Sequence, residues 1–165
     1  ASAYAALVNG GVWHPWTVVK RKAGEQVPSR RIFTEQTSAR MRQLLRMIVQ
    51  TGTGRNADAT GYRVGGKTGT AEKPKDGGYA KRSLVSTFAS AFPMEDPRYV
   101  VIVMMDEPQG SARFPGIRTA AYTAAPVIKS FVARAGPLLG VFPEAVRDID
   151  ISELKPLVGG DKEGE

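Results

Sequence analysis

Two apolar segments, Ser83–Phe92 and Arg98–Asp106, are joined only by Pro93–Pro97, and so short a link fixes their relative direction. A parallel crossover needs about a dozen residues or more, so the two segments are predicted to form an antiparallel pair. The second contains the run Tyr99-Val100-Val101-Ile102-Val103-Met104-Met105. Apolar side chains on both faces predict a central, covered strand. A third extended segment, Tyr62–Ala71, comes before them, with Asp76–Arg82 read as a loop between strands.

Helices are predicted on either side of this sheet. Ser2–Val8 is alanine-rich, and Asn9-Gly10-Gly11 supplies a stop. The chain thus opens in or at the edge of a helix without a leading cap, as expected of a piece of a larger domain. Val12–Lys22 and Arg30–Thr34 read as extended pieces around a turn at Gly24–Pro28. Over Glu35–Thr51 the apolar positions Met41, Leu44, Leu45, Ile48 and Val49 fall at i, i+3, i+4, i+7 and i+8. That spacing predicts an amphipathic helix capped by Thr34 and stopped by Gly52. Arg40, Arg42, Arg46 and Gln50 are expected on its wet face. A last helix is predicted from about Pro126, where a missing N–H costs nothing, to Gly136, with Val127, Ile128, Phe131, Val132 and Ala135 as its stripe. The fold class is α/β in the loose sense (α+β type), an antiparallel sheet covered by helices. At 165 residues one domain is expected, with a body over residues 1–143 and an acidic tail over 144–165.

Charge is distributed unevenly between those parts. Residues 144–165 carry a net charge of −4, whereas the rest carries +11. The basic groups are scattered, and Lys20-Arg21-Lys22 and Arg30-Arg31 lack the interleaved aromatics of a single-stranded nucleic-acid groove. A solvated basic face is the expectation, with no nucleic-acid partner. The chain has no cysteine, which excludes disulfides and thiolate metal sites. No apolar run approaches the roughly 18 residues of a membrane span. His14, the sole histidine, sits between Trp13 and Pro15 without partners for a metal or triad role.

One segment carries chemistry: Gly61-Tyr62-Arg63-Val64-Gly65-Gly66-Lys67-Thr68-Gly69-Thr70. Residues 61–68 match the phosphate-binding pattern G-x4-G-K-T, and the run ending at Asp106-Glu107 imitates its magnesium-holding strand. Context argues against a nucleotide site. Such a loop needs a strand before its first glycine and a helix opening at the Lys-Thr. Gly54–Thr60 is polar, and Gly69, Pro74, Gly77 and Gly78 preclude a helix. The other pattern, K-T-G followed by Thr, requires a strand. Along a strand Thr68 and Thr70 share one face and Lys67 takes the other. Gly69 between them lets another backbone approach. An edge strand of this kind can bind an extended peptide, with hydroxyls and an ammonium near its carboxylate.

With its neighbours, the segment Gly61 to Lys73 closely resembles the corresponding strand of class B penicillin-binding proteins. Tyr4-Ala5-Ala6-Leu7-Val8-Asn9-Gly10-Gly11, Ser86-Thr87-Phe88-Ala89-Ser90-Ala91-Phe92-Pro93, Asp106-Glu107-Pro108-Gln109-Gly110 and Ala124-Ala125-Pro126-Val127 are similar to other family segments, in the family's order. The resemblance covers about residues 3–142 and is nearest to the division-associated (FtsI-like) branch of Gram-negative bacteria. It implies a penicillin-binding transpeptidase / serine β-lactamase-like fold and a peptidoglycan D,D-transpeptidase working through a serine acyl-enzyme. Lys67 and Thr70 would be catalytic. Lys67, Thr68, Gly69 and Thr70 would bind substrate, with the Thr70 N–H donating to the oxyanion. Implied partners are peptidoglycan stem peptides, β-lactams, an N-terminal half of the domain and, in the parent, division-machinery membrane proteins. The parent would be anchored in the inner membrane and face the periplasm, with no cofactor or metal.

The departures matter equally. No asparagine follows a serine by two, so the family's S-x-N is absent. The only S-x-x-K, Ser152-Glu153-Leu154-Lys155, lies in the tail after the K-T-G-T strand and is read as chance. Thr119-Ala120-Ala121-Tyr122 occupies a turn where relatives often carry paired glycines. Exposed apolar surface is expected where the remainder of the domain would dock. A non-catalytic peptidoglycan-binding module and a serine β-lactamase remain alternatives.

Overall fold

The computed structural model describes residues 1–75 and 78–157, with the backbone alone for residues 75, 78–82 and 157. Helix α1 (Ser2–Val8) leads into a small antiparallel pair, β1 (Val12–Trp13) and β2 (Arg30–Arg31). The extended pieces around the Gly24 turn are therefore strands only at those four positions. Helix α2 (Glu35–Gln50) follows, and the Thr34 hydroxyl accepts from the Thr37 N–H at 3.1 Å, as the cap requires.

The sheet contains β3 (Gly65–Lys75), β4 (Gly78–Phe92) and β5 (Tyr99–Asp106) in that spatial order, all antiparallel. Residues 78–82, expected in a loop, belong to β4; the rest of that stretch, residues 76–77, lies outside the described residues. The central strand is β4, which corrects the expectation for Tyr99–Asp106. Among the described residues β5 is an edge strand, and Ile102 and Met104 on one of its faces are 42% and 70% exposed. Apolarity on both faces identified a strand that something covers, but among the described residues the cover on one of its faces stops short of Ile102 and Met104.

Helix α3 (Ala124–Ala135) covers the opposite face. Ile128 and Val132 pack with Phe88, Phe92, Val64 and Tyr62, and Val101 and Val103 of β5 lean on the same cluster. Burying a side chain the size of Phe88 contributes on the order of 2–3 kcal/mol. The predicted α3 stripe divides here, because Val127 and Phe131 face outward beside exposed Leu138. On the other face of the sheet α1 and α2 cover the end nearest β5's start, where Val8, Leu45, Ala91 and Met94 cluster with Val100. The Tyr4 hydroxyl donates to the Ala89 carbonyl at 3.0 Å, and burial pushes its phenol well up.

Arg46 is the main correction on α2. Expected in water, it is 6% exposed. Its guanidinium donates to Asp148 at 2.7–3.0 Å, to Asp58 at 2.8 Å and to the Val64 carbonyl at 2.9 Å. The segment expected to open the acidic tail consequently lies along α2. Ile151 and Leu154 are buried, Gln43 donates to the Asp150 carbonyl, and Arg40 pairs with Glu153. Residues 158–165 of the expected tail lie outside the described residues. Among the described residues no helix is long and apolar enough to cross a membrane.

Candidate functional site

Lys67 to Thr70 lie on β3, paired through Ala89, Phe88, Thr87 and Ser86 with β4, while the other edge of β3 has no strand beside it among the described residues. This is the edge the motif requires. No helix begins at Lys67, so the phosphate-loop geometry is absent.

Two glycines at the entry to this stretch differ in what they answer to. A Cβ on Gly66 would come within 2.5 Å of the Phe88 ring and 2.6 Å of the Ala89 carbonyl, so the chain's own packing demands glycine there. A Cβ on Gly69 would meet nothing closer than the Thr87 carbonyl at 3.8 Å, an ordinary contact. Nothing within the described chain calls for glycine at position 69.

The strand's pleat separates the side chains of the motif as expected. Thr68 stands opposite Phe88 and Thr70 opposite Ser86, on the α3 face, while Lys67 starts from the other. The Lys67 side chain then curls around the open edge. Its ammonium donates to the Thr68 carbonyl at 2.9 Å and to Thr68 Oγ1 at 3.2 Å. One of its three protons is left over. Thr68 Oγ1 also lies 3.1 Å from Thr53 Oγ1. Thr70 Oγ1 accepts from the Ala120 N–H at 3.1 Å, which leaves the Thr70 hydroxyl proton free to donate. Lys67, Gly69 and Thr70 are exposed and Thr68 is half-buried. Together they present an ammonium and hydroxyl donors along one open strand edge, an arrangement that can receive an extended chain ending in a carboxylate.

Two supporting groups were not legible in the sequence. Thr53 lies in the turn after α2 and Ala120 in the loop before α3, and neither position carries a pattern that announces contact with β3. The turn at 119–122 closes through hydrogen bonds to the Thr119 carbonyl, and Asn56 ties it down by donating to the Ala121 carbonyl at 2.8 Å. None of its residues has a positive φ, so this turn does not need glycine. At the far end of β3, Lys73 bridges Asp106 at 2.9 Å and Glu107 at 3.2 Å. The Ser83 hydroxyl, then Lys73, hold the Glu107 carboxyl below its usual range.

The S-x-x-K in the tail is not brought to this edge. Ser152 and Lys155 are exposed on a 3-10 turn packed against α2, and the Ser152 N–H donates to Asp150 at 2.9 Å. His14 is exposed and plays no part in the site.

A family model described as the penicillin binding protein transpeptidase domain matches residues 1–130. The chain is 41% identical over 150 residues to the probable peptidoglycan D,D-transpeptidase FtsI of Caulobacter vibrioides, covering 86% of this chain and 26% of that protein. It is 39% identical over 152 residues to the stage V sporulation protein D of Bacillus subtilis, covering 86% of this chain and 23% of that one. The chain thus spans about a quarter of the length of these relatives. Among solved structures, the transpeptidase domain of Burkholderia pseudomallei penicillin-binding protein 3 superposes with a TM-score of 0.76 at 34% identity, over 86% of this chain and 42% of that one. Penicillin-binding protein 3 of Mycobacterium tuberculosis complexed with ampicillin gives 0.70 at 28% identity, over 87% and 34%.

Proposed function

This chain belongs to the penicillin-binding protein transpeptidase family, and from that premise we propose that it supplies the substrate strand of a peptidoglycan D,D-transpeptidase. The observation that carries the reading is the open edge of β3, with Lys67, Thr68 and Thr70 offering donors along it. In the reaction, a serine from a part of the protein outside this chain attacks the penultimate D-alanyl carbonyl of a stem peptide. The bond to the terminal D-alanine breaks, that residue leaves with the serine's proton, and an ester remains. The amine of a second stem then attacks the ester, forming the cross-link and returning a proton to the serine. The Lys67 ammonium draws in the terminal carboxylate, and the Thr68 and Thr70 hydroxyls donate to it. The backbone N–H of Thr70 is one of the donors to the developing oxyanion, the kind of contact worth about 3 kcal/mol of barrier. A β-lactam carboxylate would occupy the same donors.

The parent protein on this reading is anchored in the inner membrane, faces the periplasm and works with division-machinery membrane proteins. Residues 1–143 form the C-terminal portion of its catalytic domain. The exposed Ile102 and Met104 on β5 and Val127, Phe131 and Leu138 around α3 provide apolar surface against which the remainder packs. The test is covalent labelling of the longer protein by a fluorescent penicillin. Lys67→Ala and Thr70→Ala should each lower the labelling rate by about tenfold or more, a loss of about 1.4 kcal/mol. Unchanged rates in both variants would remove β3 from the site.

A further inference from the structure

Gly61 to Val64 lead into β3 without sheet pairing of their own among the described residues, so other contacts fix where the strand begins. Arg63 is the unusual residue among them. It is 6% exposed, and its φ of 48° lies in the left-handed region, which residues with a side chain rarely adopt. Glycine would take that φ without strain, so what arginine contributes at this position is its guanidinium. It donates to the Gly61 carbonyl at 2.6 Å and to the Glu144 carbonyl at 2.9 Å, and it pairs with the Glu95 carboxylate. The Glu144 N–H in turn donates to the Gly61 carbonyl at 2.8 Å, and the Met94 N–H to the Arg63 carbonyl at 3.0 Å. One residue before β3, the Val64 carbonyl accepts from Arg46, which also holds Asp148 at 2.7 Å. The segment that supplies Glu144 and Asp148 is itself anchored. Ile151 and Leu154 are buried, Gln50 donates to Asp148 at 2.8 Å, and Gln43 donates to the Asp150 carbonyl at 2.9 Å. Residues 143–157 thus form a strap that runs from the start of the substrate strand along α2.

We propose that this strap positions the substrate strand, with Arg63 and Asp148 as positioning residues that act on acylation through Lys67 to Thr70 without touching substrate. That role presupposes the proposed function, since acylation is where it is read. Lys67 is four residues beyond Arg63, within about 14 Å along even a fully extended chain. Among the described residues β3 has a strand on one side only, so nothing beside its open edge fixes its tilt, and its lead-in must. A misplacement of about 1 Å at reacting groups can cost about a hundredfold in rate. An acidic tail free in solvent would have no such leverage.

The test uses the longer protein with Arg63→Met, Arg63→Lys and Asp148→Ala. Arg63→Met should lower the rate of acylation by a fluorescent penicillin about tenfold at a temperature where the variant is fully folded. Arg63→Lys keeps the charge and its donors and should recover most of that loss. Asp148→Ala should slow acylation less, because Arg46 retains Asp58. A purely structural role would loosen the domain evenly. Positioning instead predicts that backbone hydrogen exchange quickens over residues 61–72 while residues 124–135 of α3 keep their protection. Unchanged acylation in both Arg63→Met and Asp148→Ala, or exchange that rises equally in β3 and α3, overturns the proposal. Should Arg63→Met fail to fold, Asp148→Ala decides, since its side chain is 33% exposed and its loss leaves Arg46 paired. Normal labelling of the parent with no slowing in the variants refutes the strap alone. A parent that takes no label refutes the transpeptidase reading, and the exchange contrast then judges the strap by itself.

Discussion

Arg46 and Lys67 are cations on adjoining elements, and the structure treats them in opposite ways. Arg46 is buried, and its donors go to two carboxylates and to the carbonyl of Val64, directly before β3 begins. Lys67 is exposed and among the described residues bonds only to its neighbour Thr68, with donor capacity to spare. One charge holds the strand in place; the other, on the proposed function, meets the substrate carboxylate at its edge. The contrast teaches that burial together with saturated hydrogen bonding marks a structural charge, whereas an exposed charge with unspent donors is free to meet a ligand.

The largest effect that could break this contrast is on stability. Arg46→Ala strands Asp58 and Asp148 and leaves the Val64 carbonyl unpaired. The expected loss is about 3 kcal/mol, the low end for a broken buried pair because the carboxylates are 39% and 33% exposed. Lys67→Ala should change stability by less than about 0.5 kcal/mol. Urea midpoints of the two variants check both numbers, and equal losses would erase the distinction. The same node has a pH signature. Burial pushes the Asp148 carboxyl up, but hydrogen bonds and charge from Arg46, with Ile149 N–H and Gln50, outweigh it and hold the carboxyl below its usual range. A depressed carboxylate contributes stability above its unfolded value, near 4, and that contribution is lost as pH falls through the folded value. Asp148→Asn should therefore flatten the acid limb of the stability profile.

A smaller effect sharpens the comparison on β3 itself. Gly66→Ala must displace both Phe88 and the Ala89 backbone, which should cost about 1–3 kcal/mol. Gly69→Ala meets only ordinary contacts and should lie within about 0.5 kcal/mol of the parent. If position 69 serves a docking backbone, Gly69→Ala should still slow acylation in the longer protein. Calorimetry and labelling rates on the same samples separate the two.

What the sequence revealed was local. Thr34 and Gly52 bracket α2 almost to the residue, because a cap and a stop act over three or four positions. Alternation placed Thr68 and Thr70 together because a strand's period is two. Arg46 misled because its partners lie 12 and 102 residues away, beyond any periodicity. The β3–β4 ribbon runs past Ala71 through Glu72 and Lys73, whose polar side chains carry no sheet-burial pattern. β5 was misplaced in the sheet because an apolar run records that a face is covered, not which chain segment covers it.

The central claim is that this chain carries the substrate strand of a serine transpeptidase but not the nucleophile. The most direct measurement exposes the isolated chain, and separately the chain joined to the preceding part of its domain, to a fluorescent penicillin, followed by denaturing electrophoresis. The account predicts no covalent label on the isolated chain, because Ser152 and Lys155 are exposed against α2 rather than gathered at β3, and a strong label on the joined protein. A strong label on the isolated chain that disappears with Ser152→Ala would contradict it.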